Sequence, residues 1–476
     1  MPEMLIGGEW RAAVAEEQLE VVNPATEDVV DSVPAGTPED VDLAVATAKR
    51  AFADWAATDV EKRAAILATA ADLIHEHAKE LAATLTSEQG KPLAEAIGEV
   101  THLAHGVRFY AEAATKVRGA YQDLPSTFGP AYGVVIRRPI GVCAAITPYN
   151  FPLTLLGTKV APALASGNTV VAKPAATTPL ATLQVARLFS EAGVPDGVVN
   201  VITTSSSGRF SQAVLADPRV RKLSFTGSTE VGRVLLKTAA DTVTNCSMEL
   251  GGNAPFLIFE DADIKAALDG AFLAKMRNGG EACTAANRFY VHEAVADEFT
   301  AAFAARLGAL KVGPGLDDGT ELGPLVNEDT RSKVASLVDE ATTAGGRVLT
   351  GGITPDRRGY FYSPTVLDNV PPDAQILDQE IFGPVAPIVR FSAEQDAIDW
   401  ANDTEYGLVS YVYTGDLRRS LRVAEALEAG MVGINRGVVS DPAAPFGGVK
   451  QSGIGREGGH DGLLEFTETK YIAVDW

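Results

Sequence analysis

The chain has 476 residues, of which 46% are hydrophobic and 21% charged, with a formal net charge of −22. That length supplies two or three domains and a large core, and the composition is that of a globular protein, not a disordered one. The acidic balance argues against a sequence-independent grip on nucleic acid or anionic lipid, and three cysteines without a Cys-x-x-Cys or zinc-finger spacing exclude a disulfide framework and structural zinc.

The opening stretch, "MPEMLIGGEWRAAVAEEQ", lacks an apolar run of signal-peptide length, and no later segment is long enough to cross a bilayer, so a cytoplasmic protein with no membrane partner is expected. The first helix is predicted from "GTPEDVDLAVATAKRAFADW". Thr37 suits the N-cap, Pro38 the first helical position, and Val41, Val45, Ala48, Phe52 and Trp55 recur at helical spacing. More helices follow to about residue 118. His75 and His77 lie two apart on one of them and point apart, as surface imidazoles rather than metal ligands.

From residue 140 short apolar runs alternate with helical ones: "GVCAAIT", "NTVVAK", "GVVNVIT" and "RKLSFTG", with strand starts at Val142, Thr169, Val198 and Arg221 and a helix closing at Gly193. Each start is about one strand plus one crossover helix from the next, which predicts a parallel sheet covered on both faces. A second alternating series runs from "APFLIF" near residue 254 to about 446.

Ligands of open parallel sheets gather beyond the carboxyl ends of the strands. The first strand is followed by "TPYNFP", with Thr147, Pro148 and Asn150, the second by "KPAATTP", with Lys173, and the fourth by "FTGSTEVG", where Gly227 and Ser228 open a helix. An amide, an ammonium and a helix N-terminus on one rim suit a nucleotide or dinucleotide, although the usual G-x-G-x-x-G turn is absent. Further on, "RNGGEACTAANRF" sets Cys283 between glycines and compact alanines, open to approach by another molecule. Cys143 and Cys246 are tied to no motif and are taken as structural.

Four motifs in order, Asn150 in "TPYNFP", Glu249 in "MELGGNAPF", Cys283, and Glu380 in "EIFGPV", with "PFGGVKQSGIGREGG" after them, make the chain resemble the NAD(P)-dependent aldehyde dehydrogenases from "IGGEW" to "FTETKYIAV". The resemblance implies an α/β fold: a dinucleotide-binding domain at 1–118 and 138–250, a catalytic domain at 251–446, and a small β oligomerisation element at 119–137 and 447–476 that would make a homodimer or homotetramer. It implies that Cys283 attacks the aldehyde, that Asn150 and the Cys283 N–H hold the oxyanion, and that Glu249 activates the hydrolytic water. Thr147, Pro148, Lys173, Ala176, Gly227, Ser228 and Glu380 would form the cofactor site, with no metal. Relatives that prefer NAD usually read Lys-Pro-Ala-Glu after the second strand; here "KPAA" puts Ala176 in the glutamate's place, favouring NADP with NAD use left open.

Around "KMRNGGEAC" and "INRGVVSDPAAPFGGVKQSG" the likeness is to succinate-semialdehyde dehydrogenases, whose substrate carries a far carboxylate. Arg277 and Ser440 match family clamp residues, but the other clamp arginine is replaced by Thr158, and Arg436 is a candidate to supply that charge. Ala285 stands where many of these enzymes carry a second cysteine, so no disulfide switch is expected. Oxidation of succinate semialdehyde to succinate is the expected reaction, with other short or medium aldehydes as the alternative. A cysteine hydrolase or acyltransferase would need a histidine motif near the nucleophile, and none is found. Relatives that acylate coenzyme A lack the general-base glutamate, so Glu249 points to a free acid as product.

Overall fold

A computed structural model describes residues 2–124 and 131–475. The first helix is Pro38–Ala57. Thr37 caps it reciprocally: its Oγ1 accepts from the Asp40 N–H at 3.4 Å, and Asp40 Oδ2 accepts from the Thr37 N–H at 2.9 Å. Val41, Val45, Ala48 and Trp55 are buried along one face, and Phe52 is half-buried at its edge. Helices Val60–Glu76, Ala78–Gln89 and Leu93–Ala114 follow. His75 and His77 are exposed, and His77 Nδ1 meets Glu80 at 3.2 Å.

The first sheet has five parallel strands in the spatial order Asn245–Glu249, Val220–Thr226, Val142–Ile146, Thr169–Lys173, Val199–Val201. The expected starts at Val142 and Thr169 agree with the strands, and those at Val198 and Arg221 lie one residue away. Side chains alternate between its two faces. Val142, Ala144 and Ile146 pack with Val41, Val45 and Ala48 of the first helix, while Cys143 and Ala145 pack on the other side with Leu103, Leu153 and Val160. The strand order reverses between Val142–Ile146 and Val220–Thr226, so Thr147–Asn150 and Gly227–Ser228 flank the switch point, where open sheets of this kind bind ligands.

A second sheet has six parallel strands, Thr365–Asp368, Val385–Phe391, Ala286–His292, Ala254–Ile258, Val409–Tyr413 and Met431–Ile434, with Arg347–Thr350 antiparallel at one edge. A third, antiparallel sheet joins Ala120–Leu124, Ala131–Pro139 and Thr467–Asp475. The segment from 447 onward is not confined to that third sheet, because Gly453–Ile454 adds to the edge of the first, against Met248 and Glu249. A Cβ on Gly453 would lie 2.1 Å from the Met248 carbonyl oxygen, so only glycine permits this approach. No helix among the described residues is long and apolar enough to cross a membrane.

Candidate active site

The site forms where the two large sheets meet. Glu249 ends the last parallel strand of the first sheet, and Cys283 shortly precedes Ala286–His292 of the second. The loop between the sheets passes close to the nucleophile: a Cβ on Gly252 would lie 2.3 Å from the Cys283 carbonyl oxygen.

Cys283 owes its position to a sharp corner after helix Ile264–Met276, where Asn278 takes a left-handed conformation, φ 54 and ψ 37, that asparagine tolerates better than most residues. The Asn278 side chain then ties two loops of the site together, Nδ2 donating to the carbonyls of Asn150 and Glu281, each at 3.0 Å. Asn150 Nδ2 also donates to the Glu281 carbonyl at 3.0 Å, which leaves its second hydrogen free. The Asn150 carbonyl accepts from Lys91 Nζ at 2.8 Å; Lys91 pairs with Glu99, both buried, and Glu99 Oε1 accepts from the Leu153 and Thr154 N–H groups at 3.0 and 3.2 Å, capping helix Pro152–Ala165. Lys91, Glu99 and Asn278 escaped the sequence reading. A carboxylate on the buried stripe of a predicted helix was the one signal that could have pointed to this bracket.

Cys283 is half-buried and lines a cavity of about 350 Å³. Burial pushes its thiol up to about 12, the Glu380 and Glu249 charges add to this, and Arg277 opposes it. Glu249 is buried and its Oε2 has no hydrogen-bond partner among the described residues. Burial and the charge of Glu457 hold its carboxyl well above the usual carboxylate range, with Lys159 and Arg456 pulling the other way. Lys159 contacts Glu457 and donates to Thr226 Oγ1 at 2.7 Å. Cys143 sits in the core, its thiol pushed up to about 12 by burial. Cys246 is half-buried, its sulfur 3.3 Å from the Thr244 carbonyl.

On the rim of the first sheet Lys173 is the last residue of its strand and is buried, and burial lowers its ammonium to about 8. Its Nζ donates to the Pro174 carbonyl at 3.0 Å, one of three donors used. Ala176 is half-buried in the following turn, Pro148 is half-buried, and the buried Thr147 Oγ1 has no partner among the described residues. Ser228 is exposed and caps helix Thr229–Ala240, its Oγ accepting from the Val231 N–H at 3.4 Å, with half-buried Gly227 before it. Glu380 Oε1 accepts from the Gly252 N–H at 3.1 Å, and burial raises its carboxyl to about 7.

The cavity beside Cys283 is a groove between two helices. Helix Leu93–Ala114 lines it with Glu95, Glu99 and His102, and helix Pro152–Ala165 with Thr154 and Thr158, at helical spacing in each case. Arg277, Thr284 and Ser440 close it. Arg277 donates to Thr284 Oγ1 at 3.0 Å and lies over Phe151, 5.4 Å from the ring centroid. Thr158 Oγ1 is 2.8 Å from Glu457 Oε2. Arg436 does not line this groove. It is exposed and its Nε donates to the Val438 carbonyl at 2.7 Å, because the loop turns the guanidinium back on its own backbone. Ala285 is buried.

The chain matches the Aldehyde dehydrogenase family over residues 10–472. It is 51% identical to a succinate-semialdehyde dehydrogenase of Paenarthrobacter nicotinovorans, over 92% of this chain and 97% of that protein. It is 45% identical to the succinate-semialdehyde dehydrogenase [NADP(+)] GabD of Escherichia coli (strain K12), over 99% of this chain and 97% of the relative. The crystal structure of succinate-semialdehyde dehydrogenase from Burkholderia pseudomallei superposes with a TM-score of 0.98 at 46% identity, covering 100% of this chain and 98% of the other.

Proposed function

The chain belongs to the aldehyde dehydrogenase family, and within it we propose that it oxidises succinate semialdehyde to succinate, with NADP as the favoured cofactor and NAD also accepted. The observation that carries the substrate is that Arg277 and Ser440 line the same groove as Cys283. An arginine beside a nucleophile suits an aldehyde whose far end is a carboxylate.

The residues on the rim fit a phosphorylated dinucleotide. Lys173 holds unused donors, Thr147 Oγ1 is buried without a partner, and no carboxylate stands at position 176 to repel a 2′-phosphate. Lys173 would meet the adenosine ribose and its phosphate, the Gly227–Ser228 helix start the pyrophosphate, and Glu380 the nicotinamide ribose. A bound nicotinamide supplies the hydride acceptor that converts the adduct on Cys283 into a thioester.

The protein's own groups do the rest. Cys283 passes its proton to Glu249, which sheds it to solvent, and its sulfur attacks the carbonyl carbon as thiolate, while the free Asn150 hydrogen and the Cys283 N–H receive the oxyanion. Glu249, with an unpartnered oxygen and a raised affinity for protons, takes a proton from the water that hydrolyses the thioester. Three unpaired cysteines support a reducing compartment, the cytoplasm. The strand Thr467–Asp475, with Tyr471, Ile472 and Val474 exposed, supports assembly as a homodimer or homotetramer.

The test is kcat/KM for succinate semialdehyde and butyraldehyde with each cofactor. Succinate semialdehyde with NADP is expected to be used best, by about tenfold or more over the uncharged aldehyde. Preference for butyraldehyde would overturn the substrate.

A further inference from the structure

One half of the expected carboxylate clamp is missing at Thr158, whose hydroxyl is already engaged, 3.1 Å from the Leu155 carbonyl and 2.8 Å from Glu457. The opposite wall of the groove offers a replacement. Helices Leu93–Ala114 and Pro152–Ala165 approach so closely at Leu103 and Gly157 that a Cβ on Gly157 would lie 2.5 Å from Leu103 Cδ1. Their chain neighbours His102 and Thr158 both line the groove, so they sit at one level of it. The His102 ring is half-buried and makes no hydrogen bond or ion pair among the described residues, whereas the acidic groups nearby are committed. Glu99 is bound to Lys91 and the Leu153 N–H, Glu95 accepts from the Asn278 N–H at 2.6 Å, and Asp441 accepts from the Ala443 N–H at 2.9 Å.

We infer that His102 is a specificity-determining residue, the second hydrogen-bond donor, facing Arg277, for the far carboxylate of the aldehyde. The inference rests on the reading of the substrate as a semialdehyde acid. Even a neutral imidazole carries one N–H, so the contact exists on either side of the ring's titration and strengthens when the ring is charged. Burial and Arg277 hold the ring below its ordinary value, while Glu99 and Asp441 oppose them; Glu95, Glu457 and His105 are the other titratable groups around it. A bound carboxylate draws the proton back. Selectivity for the charged aldehyde should therefore decline as pH rises through the imidazole titration. Cys283 and Glu249 act on both aldehydes alike and cancel from the ratio.

The experiment measures kcat/KM for succinate semialdehyde and for butyraldehyde in the wild type, His102→Ala and His102→Gln, from pH 5.5 to 8 on the order of half-unit steps. His102→Ala is expected to lower the ratio of the two by about tenfold. His102→Gln, which keeps an N–H donor but cannot titrate, is expected to restore most of the ratio and flatten its pH dependence. Equal losses on both aldehydes, an unchanged ratio, or a pH slope undiminished in His102→Gln would overturn the inference. A wild type that prefers butyraldehyde would instead overturn the substrate reading beneath it, so the two failures are distinguishable.

Discussion

The cofactor rim and the aldehyde groove are built by different rules. On the rim each polar group follows its own strand: Thr147 and Asn150 after Val142–Ile146, Lys173 at the end of Thr169–Lys173, Gly227 and Ser228 after Val220–Thr226. In the groove the lining comes from two helix faces, with Arg277 and Ser440 supplied by loops. A parallel sheet brings its strand ends to one edge whatever the helices do, so a rim group needs only its place in the chain. A groove between helices depends on which faces meet, and that is set by packing over the whole interface.

Substitutions should accordingly separate into two classes, with the largest effects where the regions join. Cys283→Ala is expected to lower turnover on the order of 10⁴-fold or more while cofactor affinity, read by fluorescence titration, stays near wild type. Turnover by that variant would break the mechanism. Glu249→Gln should lower steady-state turnover by roughly 10²- to 10⁴-fold but still give a burst of reduced cofactor, because the thioester forms and then waits for water. Since both Cys283 and Glu249 are pushed up, wild-type kcat should rise with pH across neutrality as each gives up its proton more easily.

Arg277→Ala belongs to the groove alone. Losing a charge-assisted contact of about 1.5–3 kcal/mol should cost roughly 10- to 150-fold in kcat/KM for succinate semialdehyde and much less for butyraldehyde. A comparable change in the Kd of NADP would show that groove and rim are not separable. Ala176→Glu is the converse and the smallest effect. A carboxylate placed in that half-buried turn should shift the NADP/NAD ratio of kcat/KM toward NAD by roughly tenfold, leaving the ranking of aldehydes as it was. The wild-type preference for NADP should also fall as pH rises past about 8, where Lys173 loses its charge.

The sequence by itself determined the βαβ wiring, the first helix with its Thr37 cap, and the positions of Asn150, Lys173, Glu249 and Cys283 at the ends of strands and turns. Those features rest on local rules: side-chain periodicity, capping, and the chain direction of parallel strands. It also flagged the gap at Thr158, but offered Arg436 to fill it, and that side chain is exposed outside the groove with its Nε on the Val438 carbonyl of its own loop. Only the tertiary structure decided what faces that gap. His102 and Thr158 line one groove because Leu103 meets Gly157, and the Asn150 carbonyl is gripped by Lys91 from a turn 59 residues earlier. These are pairings between distant segments whose register is fixed by the packing of the whole interface, and no local pattern in either segment encodes it.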